Sequence, residues 1–432
     1  MSRASLPSRR QFVKAVAAAS AAGPLLLTSR LYSADPPPSD RINLAFIGVG
    51  TQGHGHVGAF VRRPEVQVVA VSDVVVERRD RAKKTVEDYY AQQKGKDSYK
   101  GCATFNDFRD LLAIKGLDAV VIATPDHWHA LPCVLAARAG KHIYCEKPLT
   151  LTIAQGRKVV AEAEKHNIVF QTGSQQRSEY GGMFRKAAEY VRSGRIGTLK
   201  TIRIGVGDPA VACDLPEEEI PPGTDWDTWL GPAPKRGYNH ELCPKGVHSH
   251  FPAWRKYREF GGGGLADMGA HHFDIAQWAM NMDASGPVKI EPPEKENTGL
   301  KYTYANGVEM FHGGPSGCTF EGSNGTIYVD RDRLQSTPKD ILEMQLGEKD
   351  VKLYLATDHR GNWLECIRDK KTTTICPAEV GHRSASVCQL GNIGYQLRRA
   401  LKWDPEKEQF IGDDEANKLV ARAMREPWTF PA

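Results

Sequence analysis

An apolar run from Ile42 to Ile47 passes without a break into Gly48-Val49-Gly50-Thr51-Gln52-Gly53, and no other stretch of the 432 residues restricts the fold as tightly. The run reads as a strand, and the glycines form a G-x-G-x-x-G turn. Gly48 permits the tight bend, Gly50 lets a pyrophosphate approach the backbone, and Gly53 lets the next helix pack close, so that its N-terminus faces phosphate oxygens beside Thr51 and Gln52. Alone the motif is weak, and its surroundings decide. A second apolar run, Val66 to Val71, ends at Ser72-Asp73, and Asp73 stands 25 positions after Gly48, near the spacing of a ribose-binding acid. A carboxylate there accepts from both ribose hydroxyls and repels a 2′-phosphate, so NAD is expected before NADP, although Arg78 and Arg79 lie nearby. The alternative is that Asp73 caps a helix over Glu77 to Tyr90.

The alternation continues. A helix over Asp107 to Ile114 leads to a strand over Leu117 to Ala123, then a helix over Pro132 to Gly140 leads to a strand over Lys141 to Cys145. Ligands sit at the carboxyl ends of such strands, which places Thr124, Pro125, His127 and His129 after one strand and Glu146 and Lys147 after the next. The fold class is α/β, with a dinucleotide-binding domain expected over residues 41–165 and a second domain over 166–432. The later strands are short: Ile168 to Thr172, Leu199 to Val206, Val308 to His312, Gly317 to Gly322 and Gly325 to Val329. They suggest a mainly antiparallel sheet with one face open to subunit contact, hence a homo-oligomer. Residues Gly207 to Pro252 read as loops over a cleft, and helices are expected near Ala385 to Leu401 and Asp413 to Met424.

Residues 1–40 are of another kind. Ser8-Arg9-Arg10-Gln11-Phe12-Val13-Lys14 precedes an apolar run from Ala15 to Leu27 that is short for a bilayer span, which reads as a twin-arginine export signal followed by a Pro36-Pro37-Pro38 spacer. The expectation is export to the periplasm by the twin-arginine machinery, with no membrane span once the signal is removed. That route carries folded proteins and suits a chain that loads a nucleotide before it leaves. The net charge of +5 is spread over 57 basic and 52 acidic residues without a basic block, so a nucleic-acid partner is not expected. Nine cysteines without a C-x-x-C pair read as buried thiols.

Six segments, GVGTQG (48–53), ATPDHWH (123–129), CEKP (145–148), GSQQR (173–177), WDTWLGPAP (226–234) and GGGGLADMGAHHFD (261–274), together resemble the Gfo/Idh/MocA oxidoreductase family, and the last two with the export signal look most like its secreted bacterial branch. The resemblance spans nearly the whole chain after residue 40. It implies a Rossmann domain, then an α/β domain with a large, mainly antiparallel sheet. It also implies NAD as cofactor, a sugar, cyclitol or glycoside as substrate, and Lys147, Asp267 and His271 at the reaction centre. Gln175 would meet the cofactor, and Gln176, Arg177, Trp254, Arg255, His271 and His272 the substrate.

The spacing has its own reading. Asp267 and His271 stand at i and i+4, on one face if Asp267 opens a helix continuing through Trp278, where the acid orients the imidazole. His271 would act as base and Lys147 would stabilise an oxyanion. Bland readings stand beside these: Lys147 as a surface lysine, Asp267 as a cap, and His272 with Asp274 as rivals or supports of His271. His127, His129, His248, His250, His271 and His272 have spacings compatible with a metal but not requiring one, and none is expected. Trp128, Trp254 and Tyr257 are either core or platforms for a sugar face. Three functions remain: an NAD-dependent dehydrogenase, a glycosidase or lyase using NAD without net redox, and a non-catalytic sugar-binding relative.

Overall fold

Burial along almost the whole of β1 (Ile42–Ile47) marks a strand covered on both faces. In this computed structural model, which describes residues 40–96 and 99–431, the chain continues through α1 (Thr51–Phe60), β2 (Val66–Ser72), α2 (Val76–Gln93), β3 (Ala103–Phe105), α3 (Phe108–Leu112), β4 (Ala119–Ile122), α4 (Asp126–Arg138), β5 (His142–Cys145), α5 (Ile153–Lys165) and β6 (Phe170–Thr172). The export signal expected before residue 40 lies outside the described residues. The six strands pair in parallel in the order β3-β2-β1-β4-β5-β6, so the strand order reverses between β1 and β4, where such sheets bind ligands.

Two expectations change here. The strand assigned to the antiparallel half at Ile168 to Thr172 instead closes the parallel sheet, with Ile143 opposite Phe170 and Cys145 opposite Thr172. All three of its residues are buried, as in a strand covered on both faces. The helix expected from Pro132 starts six residues earlier, at Asp126, and carries Pro132 in its interior. Eleven of the thirteen residues are buried, so packing overrides the proline.

The second half comprises α6 (Met183–Arg192), β7 (Leu199–Gly205), α7 (Trp226–Leu230), α8 (Gly263–Asp267), α9 (Gly269–Met280), β8 (Lys289–Glu291), β9 (Lys301–Thr303), β10 (Glu309–Gly322), β11 (Thr326–Val329), β12 (Leu334–Thr337), α10 (His359–Arg368), α11 (Ala378–Leu397), β13 (Leu401–Asp404), β14 (Gln409–Phe410) and α12 (Asp414–Asn417). Eight strands form the mainly antiparallel sheet. The two strands expected at Val308 to His312 and Gly317 to Gly322 are the arms of one element, β10. Thr201 of β7 pairs with Glu309 on one arm and Glu321 on the other, so β7 lies between them. The bend at Gly313-Gly314 has φ of 136° and 103°, which glycine alone adopts freely. The two closing helices also differ from expectation. The first spans Ala378–Leu397, with Leu401 already in β13, and the second stops at Asn417 because the chain beyond runs irregularly over α4, where Trp428 packs edge-on to Trp128.

Every residue of α9 is buried, between α6 and α11 and over the antiparallel sheet. A charged brace anchors it. Arg177, in the 3₁₀ turn Gln175–Arg177 after β6, donates to both carboxylate oxygens of Asp274 at 2.8 Å and to Asp283 at 2.7 and 3.0 Å, with its guanidinium over the Trp278 ring. Ser384 of α11 donates to the same Asp274. Among the described residues no helix is long and apolar enough to cross a membrane. Asp274→Ala leaves the buried guanidinium half-matched and is expected to lower unfolding free energy by about 3–5 kcal/mol. An unchanged urea midpoint would show that the brace carries no stability.

Candidate active site

The carboxyl ends of β1, β4 and β5 open into one cleft of about 460 Å³. At one end lies the glycine turn. Gly48 has φ of +81°, and a Cβ there would stand 2.8 Å from the Thr124 nitrogen, while one on Gly53 would stand 2.0 Å from the Gly48 oxygen. Gly50 differs: nothing lies within 4 Å of its Cβ position, and as N-cap of α1 it offers no side-chain cap, which leaves first-turn N–H groups for a ligand. Thr51 lines the cleft and donates its hydroxyl to the His250 carbonyl at 2.9 Å, clasping the 248–250 loop over the turn.

Asp73 reaches the same end. Its carboxylate accepts from the N–H groups of Val49 and Val75, both at 2.9 Å, so it ties the glycine turn to the end of β2; the cap of α2 is Val75, not Asp73. Arg78 donates to the Gly246 and Pro244 carbonyls, and Arg79 to the Asp73 carbonyl. The cradle therefore suits a dinucleotide, with space at Gly50, donors on α1 and a carboxylate at Asp73.

Mid-cleft, Glu146 is a buried hub. Its Oε1 accepts from His56 Nε2 at 2.7 Å, Gln175 Nε2 at 2.9 Å and Gln52 Nε2 at 3.2 Å. Arg360 donates to His56 Nδ1, so Nε2 carries the proton that His56 gives to Glu146. Burial raises the Glu146 pKa, but the His56 hydrogen bond and the charge of Lys147 hold it below the carboxylate range. His129 turns its ring nitrogens to the carbonyls of Pro148 and Thr124 at 2.8 and 2.9 Å, which ties together the chain leaving β4 and β5.

At the far end the two halves meet. Lys147 donates to both the carbonyl and Oδ1 of Asp267, each at 2.7 Å, and Arg255 Nε lies 3.6 Å from the same Oδ1. This corrects the expected Asp267–His271 pairing. Asp267 ends α8 rather than opening a longer helix, and α9 starts afresh after Met268, so the carboxylate turns to two cations instead of the imidazole. Burial opposes ionisation of Asp267, but Lys147 and then Arg255 keep its pKa low. His271 is buried on the cleft wall, its Nδ1 without a partner. Burial, then the charges of Lys147 and Arg331, push it well below the ordinary histidine value.

Asp126, passed over in the sequence, lies beside this cluster. Burial and then the Asp267 charge raise it to about 8, against Arg255, Lys147 and the Gly262 N–H. Two neighbouring carboxyls thus hold opposite protonation states at neutral pH. Its signal was its place just after Pro125 at a strand end, hidden among the more conspicuous histidines.

Gly48, Gly50, Thr51, Gln52, Asp73, Thr124, Pro125, His129, Glu146, Lys147, Gln175, Trp254, Arg255, Asp267 and His271 all line the cleft, as does Trp128. Gly53 acts by packing. Other assignments are corrected. His127 is buried between Trp229 and Phe260, its Nε2 3.1 Å from the Trp229 carbonyl. His272 packs against Phe184 and Cys318. Arg177 and Asp274 are spent on each other. Gln176 is buried behind the wall, receiving Arg331 Nε at 3.2 Å and donating to the His271 carbonyl. Tyr257 joins a separate apolar cluster. Arg331, Tyr180 and Arg360, distant in sequence from the strand ends, join the lining.

Residues 42–174 match the NAD-binding Rossmann fold of the Gfo/Idh/MocA oxidoreductase family, and residues 210–430 match its C-terminal alpha/beta domain. The chain is 26% identical to myo-inositol 2-dehydrogenase of Thermotoga maritima over 86% of its own length and all of the relative. It is 26% identical to the uncharacterized oxidoreductase YrbE of Bacillus subtilis over 58% of this chain, spanning only 59% of that relative. A glycosyl hydrolase family 109 protein of Shewanella baltica is 33% identical over 36% of this chain and 37% of its own. Aldose-aldose oxidoreductase of Caulobacter crescentus shares the fold, with a TM-score of 0.56 at 17% identity over 84% of this chain and 99% of that one.

Gly50→Ala, with φ of −63° at that position, is expected to keep the melting temperature while weakening NAD about tenfold or more in a fluorescence titration, because the methyl enters the open phosphate space. For Asp126, the folded state holds a proton that the unfolded state releases between about pH 4 and about 8. Its contribution to stability is therefore full below pH 4 and lost as pH rises through 8. Asp126→Asn should thus gain melting temperature relative to the parent across that window and level off above it; a pH-independent difference in calorimetry would refute the assignment.

Proposed function

From a chain that belongs to the Gfo/Idh/MocA oxidoreductase family, we propose an NAD-dependent oxidoreductase acting on a CH–OH group of a sugar, cyclitol or glycoside. The carrying observation is the meeting of Lys147, Asp267 and His271 on one cleft that also holds the glycine cradle. The bound nicotinamide would supply the acceptor or donor of the hydride. The rest is the chain's own work. His271, neutral at physiological pH, takes the hydroxyl proton. The Lys147 ammonium, held in place by Asp267, stabilises charge developing on the substrate oxygen. Arg255 stacks over Trp254 and Phe251, a cationic and aromatic wall suited to a hydroxyl-rich ring. NAD is preferred to NADP because Asp73 stands at the ribose end while Arg78 and Arg79 are committed to backbone carbonyls.

The remaining parts of the proposal rest on sequence. The S-R-R-Q-F-V-K segment and the short apolar run after it support export to the periplasm through the twin-arginine machinery. The exposed face of the antiparallel sheet supports a homo-oligomer.

One observation favours a second reading, glycoside cleavage through a transient keto-sugar with no net redox. Asp126 keeps a proton to about 8 beside the cluster, as an acid that protonates a leaving group must. The partial likeness to a glycosyl hydrolase family 109 protein agrees with this.

A panel of sugars, cyclitols and aryl-glycosides incubated with NAD separates the two. Net NADH absorbance is expected for the first reading, and aglycone release without net NADH would replace it with the second. Lys147→Ala should lower kcat by about 10²–10³-fold in either assay; undiminished turnover would remove the lysine from the chemistry.

A further inference from the structure

A second cavity, of about 250 Å³, lies behind the wall of Asp126, Gly262 and Ala266, and the oxidoreductase reading makes no use of it. Three arginines line it: Arg258, Arg398 and Arg422. Elsewhere Arg157 is matched by Glu379 and Glu408, and Arg177 by Asp274 and Asp283. These three have no carboxylate within ion-pair distance among the described residues. Arg398 donates only to the Glu296 carbonyl and the Asn297 amide oxygen, and Arg422 to the Arg258 carbonyl. The Arg258 Nε is buried with no acceptor at all.

Burial lowers the Arg422 pKa; Glu259, a carboxylate outside the lining, raises it in part, and the Arg258 charge lowers it by less, so the two cations lie near each other. The single carboxyl on the lining is Asp126, which holds its proton to about 8 and so does not repel an anion at neutral pH. Cationic groups facing a cavity without a counter-charge are stabilised by an anion that accepts charge-assisted hydrogen bonds. We propose that this cavity binds a small oxyanion, a carboxylate or a phosphate, held by Arg258, Arg398 and Arg422. The volume, just under the ~300 Å³ of the smaller ligand pockets, suits a compact anion rather than a nucleotide.

Calorimetric titration of the full chain with sodium phosphate, sodium acetate and neutral acetamide tests this, with NAD saturating so that the glycine cradle is filled. Phosphate, acetate or both should bind saturably, where sodium chloride of equal ionic strength and acetamide do not, and their relative affinity identifies the source. Arg258→Gln with Arg422→Gln should weaken binding about tenfold or more. If that double variant fails to fold by circular dichroism, Gln389→Glu serves instead, because it sets a carboxylate of similar size on the lining and should also repel the anion. No saturable binding, or equal affinity in the folded variants, overturns the proposal. Failure to bind NAD would count against the oxidoreductase reading and leaves the comparison of variants intact.

Discussion

The contact between Lys147 and Asp267 is the point on which the site depends. The lysine leaves the end of β5 in the parallel sheet, and the aspartate ends α8 in the second half, 120 residues later. With 15% and 33% of their side chains exposed, the pair is partly screened, so its importance is geometric more than energetic. It places an ammonium, a carboxylate and the first turns of α9 around one point. The neighbouring groups follow from it, because Arg255 shares the same carboxylate and Asp126 feels its charge.

Around that contact the buried polar groups are mostly spoken for. Glu146 draws His56, Gln175 and Gln52 to one oxygen, which stiffens the floor of the cleft between cofactor end and reaction end. Arg177 and Asp274 hold α9 from behind. His271 is among the exceptions, with a buried ring nitrogen unpartnered on the wall, as is the Thr124 hydroxyl. A group satisfied only when something enters is what a binding wall requires, whereas His272, equally buried, has found sulfur and aromatic neighbours.

Much of the cradle was legible because its constraints are local. A strand running into G-x-G-x-x-G, followed by an acid after the next strand, allows one backbone path, and Gly48, Gly53 and Asp73 sit as that path demands. Local pattern also misled. Asp267 and His271 at i and i+4 suggested a shared helix face, but the helix breaks at Met268. Arg177 looked like a substrate contact because a cation in a strand-end motif invites that reading; its acids lie about a hundred positions on. Asp126 was overlooked since its protonation depends on Asp267 and on burial, neither of which is visible along the chain.

By itself the sequence determined the α/β class, the phosphate-binding turn and the set of side chains at the strand ends, because short-range sterics and hydrophobic alternation act within a few residues. It did so again for the mainly antiparallel second sheet, whose short strands carry their own pattern. Only the tertiary structure decided which three of six histidines line the cleft, which carboxylate meets the lysine and which keeps its proton. Those outcomes come from desolvation and from charges brought together across long loops, and such forces exist only once the chain is packed.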